Sequence, residues 1–270
     1  MTGTSQRPSI RYRVDDPVAV ITLDNPAALG AFTFDMLDEL RDRVRAAVDD
    51  ARVVGIVITG TGRGFCTGLD AAAVAATTAG VPAPPAAHGD GRYAGMFSYL
   101  LEQPKPIIAA VNGVAAGGGF LLATMCDLRF ASTDASFVSV FSRRGLTAEL
   151  GVSWTLPRLV GSGNALDLLW SSRRIDAAEA LRLGLVERVA EPDTLLDLAR
   201  GYVVDLAEQV SPGAIADIKR LVYQEAGMEI GPALAHAYEA TNRAILLADA
   251  NEGAAAFIER RAPRFARVGS

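Results

Sequence analysis

Apolar residues fall along this chain in two distinct patterns. In the first half, Pro17 to Leu23 (PVAVITL), Val53 to Thr59 (VVGIVIT) and Pro106 to Val111 (PIIAAV) are short apolar runs rich in β-branched residues. Runs of this length with little alternation predict strands, and the last two read as strands buried on both faces. Each ends on turn residues: Asn25-Pro26, Gly60 to Gly64, and Asn112-Gly113. Between the first two runs, Met36, Leu37, Leu40, Val44, Ala47 and Val48 recur at helical spacing. They predict an amphipathic helix that ends at Asp50 and is capped by Thr33 or Asp35. Ala71 to Gly91 reads as a short helix followed by a loop rich in Ala, Pro and Gly, and Arg92 to Glu102 as a further helix stopped by Pro104 and Pro106.

After Leu195 the pattern is helical only. Helices are expected over Leu195–Gln209, from Ser211-Pro212 onward, over Pro232–Ala248 and over Gly253–Arg261. The fold class is therefore α/β. Residues 1–194 form an α/β core with parallel strands, and 195–270 a C-terminal helical region.

Composition narrows the function classes. Of 270 residues, 50% are apolar and 21% charged, which excludes a disordered chain. A net charge of −5 argues against a nucleic-acid binder of the usual basic kind. No apolar run approaches the ~20 residues of a membrane helix, and the first 16 residues lack the apolar stretch of a secretory signal. Cys66 and Cys126 are too few and too far apart for a disulfide framework or a zinc pattern. The expectation is a cytoplasmic protein with reduced thiols, no metal and no membrane partner.

Two glycine-rich loops carry the candidate chemistry. GTGRGFCTGLD (Gly60 to Asp70) follows a strand, but its G-x-G-x-G spacing does not fit a dinucleotide fingerprint, and no Gly-Lys-Ser/Thr follows to make a phosphate loop. NGVAAGGGFLL (Asn112 to Leu122) places three glycines after a buried strand. If Gly117 to Gly119 open a helix, their free N–H groups attract negative charge. Two such loops on neighbouring strands can present two backbone amides to one oxygen, the recipe for an oxyanion hole.

These segments resemble the enoyl-CoA hydratase/isomerase family, the crotonases. Lys105 to Ser132 (KPIIAAVNGVAAGGGFLLATMCDLRFAS) looks like the family signature, and GRGFCTGLD like its Phe-x-x-Gly-x-Asp loop. Leu23 to Leu37 resembles its N-terminal Pro-x-x-x-Asn-Ala segment, with Gly30 in place of the asparagine. Ala180 to Ala199 and Glu252 to Phe265 resemble later blocks. The resemblance implies a spiral of ββα units, then helices that mediate trimerisation, with trimers often paired into hexamers. It implies an acyl thioester of coenzyme A as substrate, with no separate cofactor. It makes Leu69 and Gly118 the oxyanion-hole amides, and sets Ala28, Thr67, Gly68, Asp70, Gly117, Leu121 and Phe141 around the coenzyme A thioester.

The sequence departs from the hydratase pattern at its centre. The two glutamates with which hydratases add water align with Leu121 and Phe141, which transfer no protons. Arg143 to Trp154 (RRGLTAELGVSW) instead resembles the Gly-Leu-x-x-Glu-Gly segment of the peroxisome-type Δ3,Δ2-enoyl-CoA isomerases, which makes Glu149 the catalytic acid/base. Burial among Leu146, Leu150 and Trp154 is expected to raise its pKa. The bland reading of Glu149 is a solvated acid in the first turn of a helix. Isomerisation is thus the first reading and hydration at a non-standard site the second. A catalytically silent acyl-CoA-binding oligomer is the third.

Other residues carry less. Asp70 reads as a helix cap and Asp127 as structural. Cys66 has no histidine placed to activate it. His88 and His236 read as surface or interface residues. The pairs Arg143-Arg144, Arg173-Arg174 and Arg260-Arg261 are the candidates for contact with coenzyme A phosphates.

Overall fold

A computed structural model describes residues 7–79 and 95–267. Its strands β1 (Ser9–Asp15), β2 (Val18–Asp24), β3 (Gly55–Gly60), β5 (Ile107–Val111), β7 (Leu128–Ser132) and β10 (Arg188–Ala190) form one sheet in the order β1-β2-β3-β5-β7-β10. A smaller sheet takes β4 (Gly64–Cys66), β6 (Val114–Ala116), β8 (Ser136–Val138) and β9 (Ile175–Asp176), in the order β4-β6-β8-β9. Apart from the antiparallel pairs β1/β2 and β8/β9, every pairing is parallel. Successive strand pairs β3-β4, β5-β6 and β7-β8 each give one strand to each sheet. Each pair is followed by a helix: α2 (Ala71–Thr78), α3 (Gly118–Met125) or α4 (Val152–Ser171). This is the expected spiral of ββα units.

The helix α1 (Phe34–Asp49) follows the expected pattern closely. Thr33 caps it, its hydroxyl accepting the Met36 N–H, and Met36, Leu37, Leu40, Val44 and Ala47 are buried. At its far end the ammonium of Lys105 donates to the carbonyls of Ala47 and Asp50 at 3.1 and 2.8 Å. The principal core lies where α1, α3 and α4 meet the sheets. A second cluster covers the outer face of the large sheet, where Leu195, Ala199 and Val203 of α6 (Leu195–Gln209) pack on Val18, Val57 and Ile108.

Several segments differ from the sequence reading. β1 was not expected, although Ile10, Tyr12 and Val14 alternate with Arg11 and Arg13. Its arginines face solvent, as suits an edge strand. Between Gly95 and Pro106 only a 3-10 turn, Ser98–Glu102, forms in place of a regular helix, and residues 92–94 lie outside the described residues. Ser98, Tyr99, Leu100 and Leu101 are all buried, so packing on every side governs the segment. The helix expected at Ala71 is present, and the rest of that loop from Gly80, including His88, lies outside the described residues. The C-terminal helices α7 (Pro212–Glu225), α8 (Ile230–Ala244) and α9 (Ala248–Glu259) appear where helices were expected, within a few residues. No described helix is long and apolar enough to cross a membrane.

Candidate active site

The two glycine loops end side by side. β4 and β6 pair in parallel, and each runs a few residues beyond its last pairing before turning into a helix. Phe32 N–H donates to Gly68 O at 2.7 Å and Asp70 N–H donates to Phe32 O at 2.9 Å, which turns the N–H of the intervening Leu69 away from that bridge. Gly118 opens α3 behind Gly117, so its N–H has no partner within the helix. The loops touch: a methyl group on Gly68 would lie 3.0 Å from Gly118 N, and one on Gly118 would lie 4.0 Å from Leu69 N. Gly68 and Gly117 have φ of +94° and +51°, in the region that favours glycine. Leu69 and Gly118 are half-open, whereas Gly68 and Gly117 beside them are buried.

The surrounding residues fall as expected in part. The Thr67 hydroxyl donates to Ala28 O at 3.0 Å, which ties the Pro26–Ala28 turn to the loop. Asp70 accepts the Ala73 N–H at 2.7 Å and caps α2, the structural role the sequence suggested. Gly30, the departure from the family pattern, has φ of +77°, and a Cβ there would meet Phe65 O at 2.3 Å. Leu121 and Phe141 are both buried in the principal core. Val140, next to Phe141, has φ of +59°, an outlier for a β-branched residue, and its Cγ2 would lie 3.1 Å from a Cβ on Gly117. Nothing in the residue type of Val140 signals that backbone, so the position carries no sequence mark.

Glu149 begins a 3-10 turn, Glu149–Gly151, ahead of α4. It is half-buried, and burial raises its carboxyl above the ordinary value of 4.5, opposed by the charge of Arg144. The expected surround is different, however. Leu146, Leu150 and Trp154 are exposed, with the Arg158 guanidinium 4.0 Å over the Trp154 ring. Leu146 lies in the exposed segment before the turn and Trp154 in the first turn of α4, and there their side chains meet solvent. Leu150, next to Glu149, has φ of +52°, a second strained non-glycine position. The turn packs toward α3, because a Cβ on Gly151 would come within 2.9 Å of Met125 Cε.

Cys66 is buried, with its thiol pushed up to about 12. Burial thus disfavours the thiolate that a nucleophilic cysteine needs. Asp127 accepts from Lys219 Nζ at 2.7 Å, Tyr223 OH at 3.0 Å and Ile107 N–H at 2.7 Å. His236 pairs with Glu225 at 3.0 Å between α7 and α8. Among the arginine candidates, Arg173 is held by Asp167 and Glu179, and Arg261 by Glu252 and Glu259. Those two guanidiniums are already neutralised within the chain. A cavity of about 460 Å³ is lined by Phe141, Leu146, Ala148, Leu166 and Trp170 among others, but neither Leu69 nor Gly118 reaches it.

Successive ββα units whose turns bring two backbone amides side by side define a crotonase-type scaffold. The family model for enoyl-CoA hydratase/isomerase matches residues 13–267, and the chain belongs to that family of enzymes. It is 35% identical to a crotonyl-CoA hydratase of Syntrophomonas wolfei, over 93% of this chain and 95% of that one. It is 33% identical to a 1,2-epoxyphenylacetyl-CoA isomerase of Escherichia coli, over 95% and 97%. The crystal structure of an enoyl-CoA hydratase from Mycobacterium tuberculosis superposes with a TM-score of 0.87 at 30% identity, covering 98% of this chain and all of that one.

Proposed function

We propose that this enzyme is a Δ3,Δ2-enoyl-CoA isomerase with Glu149 as its single acid/base. The carboxylate removes a proton from C2 of a 3-enoyl-CoA. The electron pair moves into the thioester, and the dienolate oxygen is held by the N–H groups of Leu69 and Gly118. Glu149, now protonated, returns the proton to C4, and the double bond comes to rest between C2 and C3. Nothing is oxidised and no water is consumed, so coenzyme A arrives only as part of the substrate and no separate cofactor is needed. Each amide of such a pair contributes about 3–4 kcal/mol to the transition state.

The observation that carries this reading is the exchange of carboxylates. Leu121 and Phe141 are buried apolar side chains where the two-glutamate mechanism needs proton carriers, and Glu149 is a half-buried carboxylate with a raised pKa. Hydration is the second reading, favoured by the relatives that carry hydratase names. Exposed apolar residues on α8 and α9 support a homo-oligomer, a trimer or a pair of trimers.

Supplying 3-enoyl-CoA and 2-enoyl-CoA separately distinguishes the readings. Isomerisation without hydration is expected, and Glu149→Gln should lower kcat by about 10²–10⁴-fold. Hydration of 2-enoyl-CoA, or a variant within a few-fold of wild type, removes this reading. Thioester binding with no turnover of either substrate supports a silent binding protein.

A further inference from the structure

The two amides lie at the ends of β4 and β6, and the corners that start those strands are fastened by one side chain. Asn112 sits at the β5–β6 corner. Its Oδ1 accepts the Gly60 N–H at 2.9 Å and lies 3.3 Å from the Thr59 hydroxyl, whose closer acceptor is Ala110 O at 2.8 Å. Its Nδ2 donates to Gly62 O at 2.8 Å and Gly64 O at 3.2 Å. All four partners belong to β3, the β3–β4 corner or the first residue of β4. The corners are also in backbone contact, since a Cβ on Gly113 would lie 2.0 Å from Arg63 O, and Val114 N–H donates to the same oxygen at 3.4 Å. With no room for side chains between them, the carboxamide and this one backbone bond connect the corners.

The consequence runs down both strands. β4 and β6 are only three residues long, and their register shifts between the pairs Gly64↔Val114 and Cys66↔Ala115. From Cys66 the chain runs three residues to Leu69, and from Ala115 three residues to Gly118. A three-residue ladder with an irregular register supplies few backbone hydrogen bonds of its own, so a side-chain tie at the corner contributes to fixing the two strands on each other. A slip of one residue moves a strand by about 3.3 Å. An oxyanion needs both donors within about 2.7–3.1 Å, so a fraction of one slip separates the pair. We propose that Asn112 is a positioning residue that fixes the register of β4 on β6 and thereby the spacing of the Leu69 and Gly118 amides. Asn112 touches no substrate in this role. The inference rests on the oxyanion pair proposed above.

Asn112→Asp keeps the acceptor for Gly60 N–H but turns a carboxylate toward two carbonyl oxygens. Asn112→Ser is the milder change. The probe is 4-(dimethylamino)cinnamoyl-CoA, a chromophoric 2-enoyl thioester whose absorption moves to longer wavelength when donors polarise its carbonyl. Wild type should shift the spectrum. Folded Asn112→Asp, checked by circular dichroism, should bind the probe within about threefold of wild type yet give less than half the shift. Its kcat on 3-enoyl-CoA should fall about tenfold or more with KM little changed, and Asn112→Ser should lie between. A folded Asn112→Asp with the full shift, or a loss expressed in KM alone, overturns the proposal, as does failure of both variants to fold. If wild type itself gives no shift, the oxyanion pair falls and this proposal with it. If wild type shifts the probe but does not isomerise 3-enoyl-CoA, the isomerase reading fails alone and the spectral arm still decides the role of Asn112.

Discussion

The carboxyl of Glu149 is governed by two opposing influences, and their balance makes a signed prediction. Burial disfavours its ionised form and raises the pKa, while the positive charge of Arg144 lowers it. A carboxylate that abstracts a proton must be ionised, so turnover of 3-enoyl-CoA should be lost as pH falls through a pKa above 4.5. Arg144→Ala removes the lowering influence. The acid limb of the kcat/KM profile should therefore move to higher pH in that variant, and an unmoved or lowered limb removes Glu149 from the role of base. At this scale the sequence was legible through motif spacing. The role proposed for Leu69 and Gly118 belongs to their backbones, so only the glycine pattern around them signals a site. The environment of Glu149 was less legible. Leu146, Leu150 and Trp154 are neighbours in sequence, but sequence proximity does not say whether side chains fold over a carboxylate or out to solvent.

Length alone did not make an element readable: the 20-residue α4, interrupted by Pro157 and Gly161, and the seven-residue β1 are not predicted by the apolar pattern, whereas a regular stripe with a cap is. α1 spans 16 residues with a capping threonine and a regular apolar stripe, and its observed bounds match the expected ones closely. β4, β6 and β8 have three residues each and β9 two, too few for any period to register. They form because the neighbouring long strands bring them together, which is a tertiary cause. The same holds for the attachment of α7. Lys219 reaches from that helix to Asp127, Leu100 O and Lys105 O, and Tyr223 donates to the other oxygen of Asp127. Tyr223 is held protonated, its pKa raised by burial and by the Asp127 charge. Lys219→Met would leave a mostly buried carboxylate without its cation. It should cost about 3 kcal/mol, read as a lowered midpoint of thermal unfolding at fixed protein concentration. A midpoint equal to wild type would show that the pair contributes nothing to holding α7.

For the whole molecule, the apolar half of the composition is not all spent on the monomer core. Ile230, Leu234 and Tyr238 recur every four residues along α8 and lie 73%, 63% and 69% exposed, and Phe257 and Ile258 on α9 are 85% and 78% exposed. Residues four apart share one helix face, so the α8 residues form a continuous stripe. Soluble monomers seldom leave large contiguous apolar patches in water. The sequence displayed this stripe as ordinary helical periodicity and did not reveal which side it faced, because an interface and a core impose the same spacing. A second copy of the chain is the partner that the proposed homo-oligomer supplies. Leu234→Glu with Phe257→Glu would place charges in such an interface, where burial without a partner is costly. Sedimentation velocity should find the wild type as a trimer or hexamer at micromolar concentration and the double variant shifted toward monomer, with its circular dichroism retained. Since assembly favours the folded subunit by mass action, the wild-type unfolding midpoint should also rise with protein concentration while that of the variant does not. A wild type that sediments as a monomer across this range removes the oligomer.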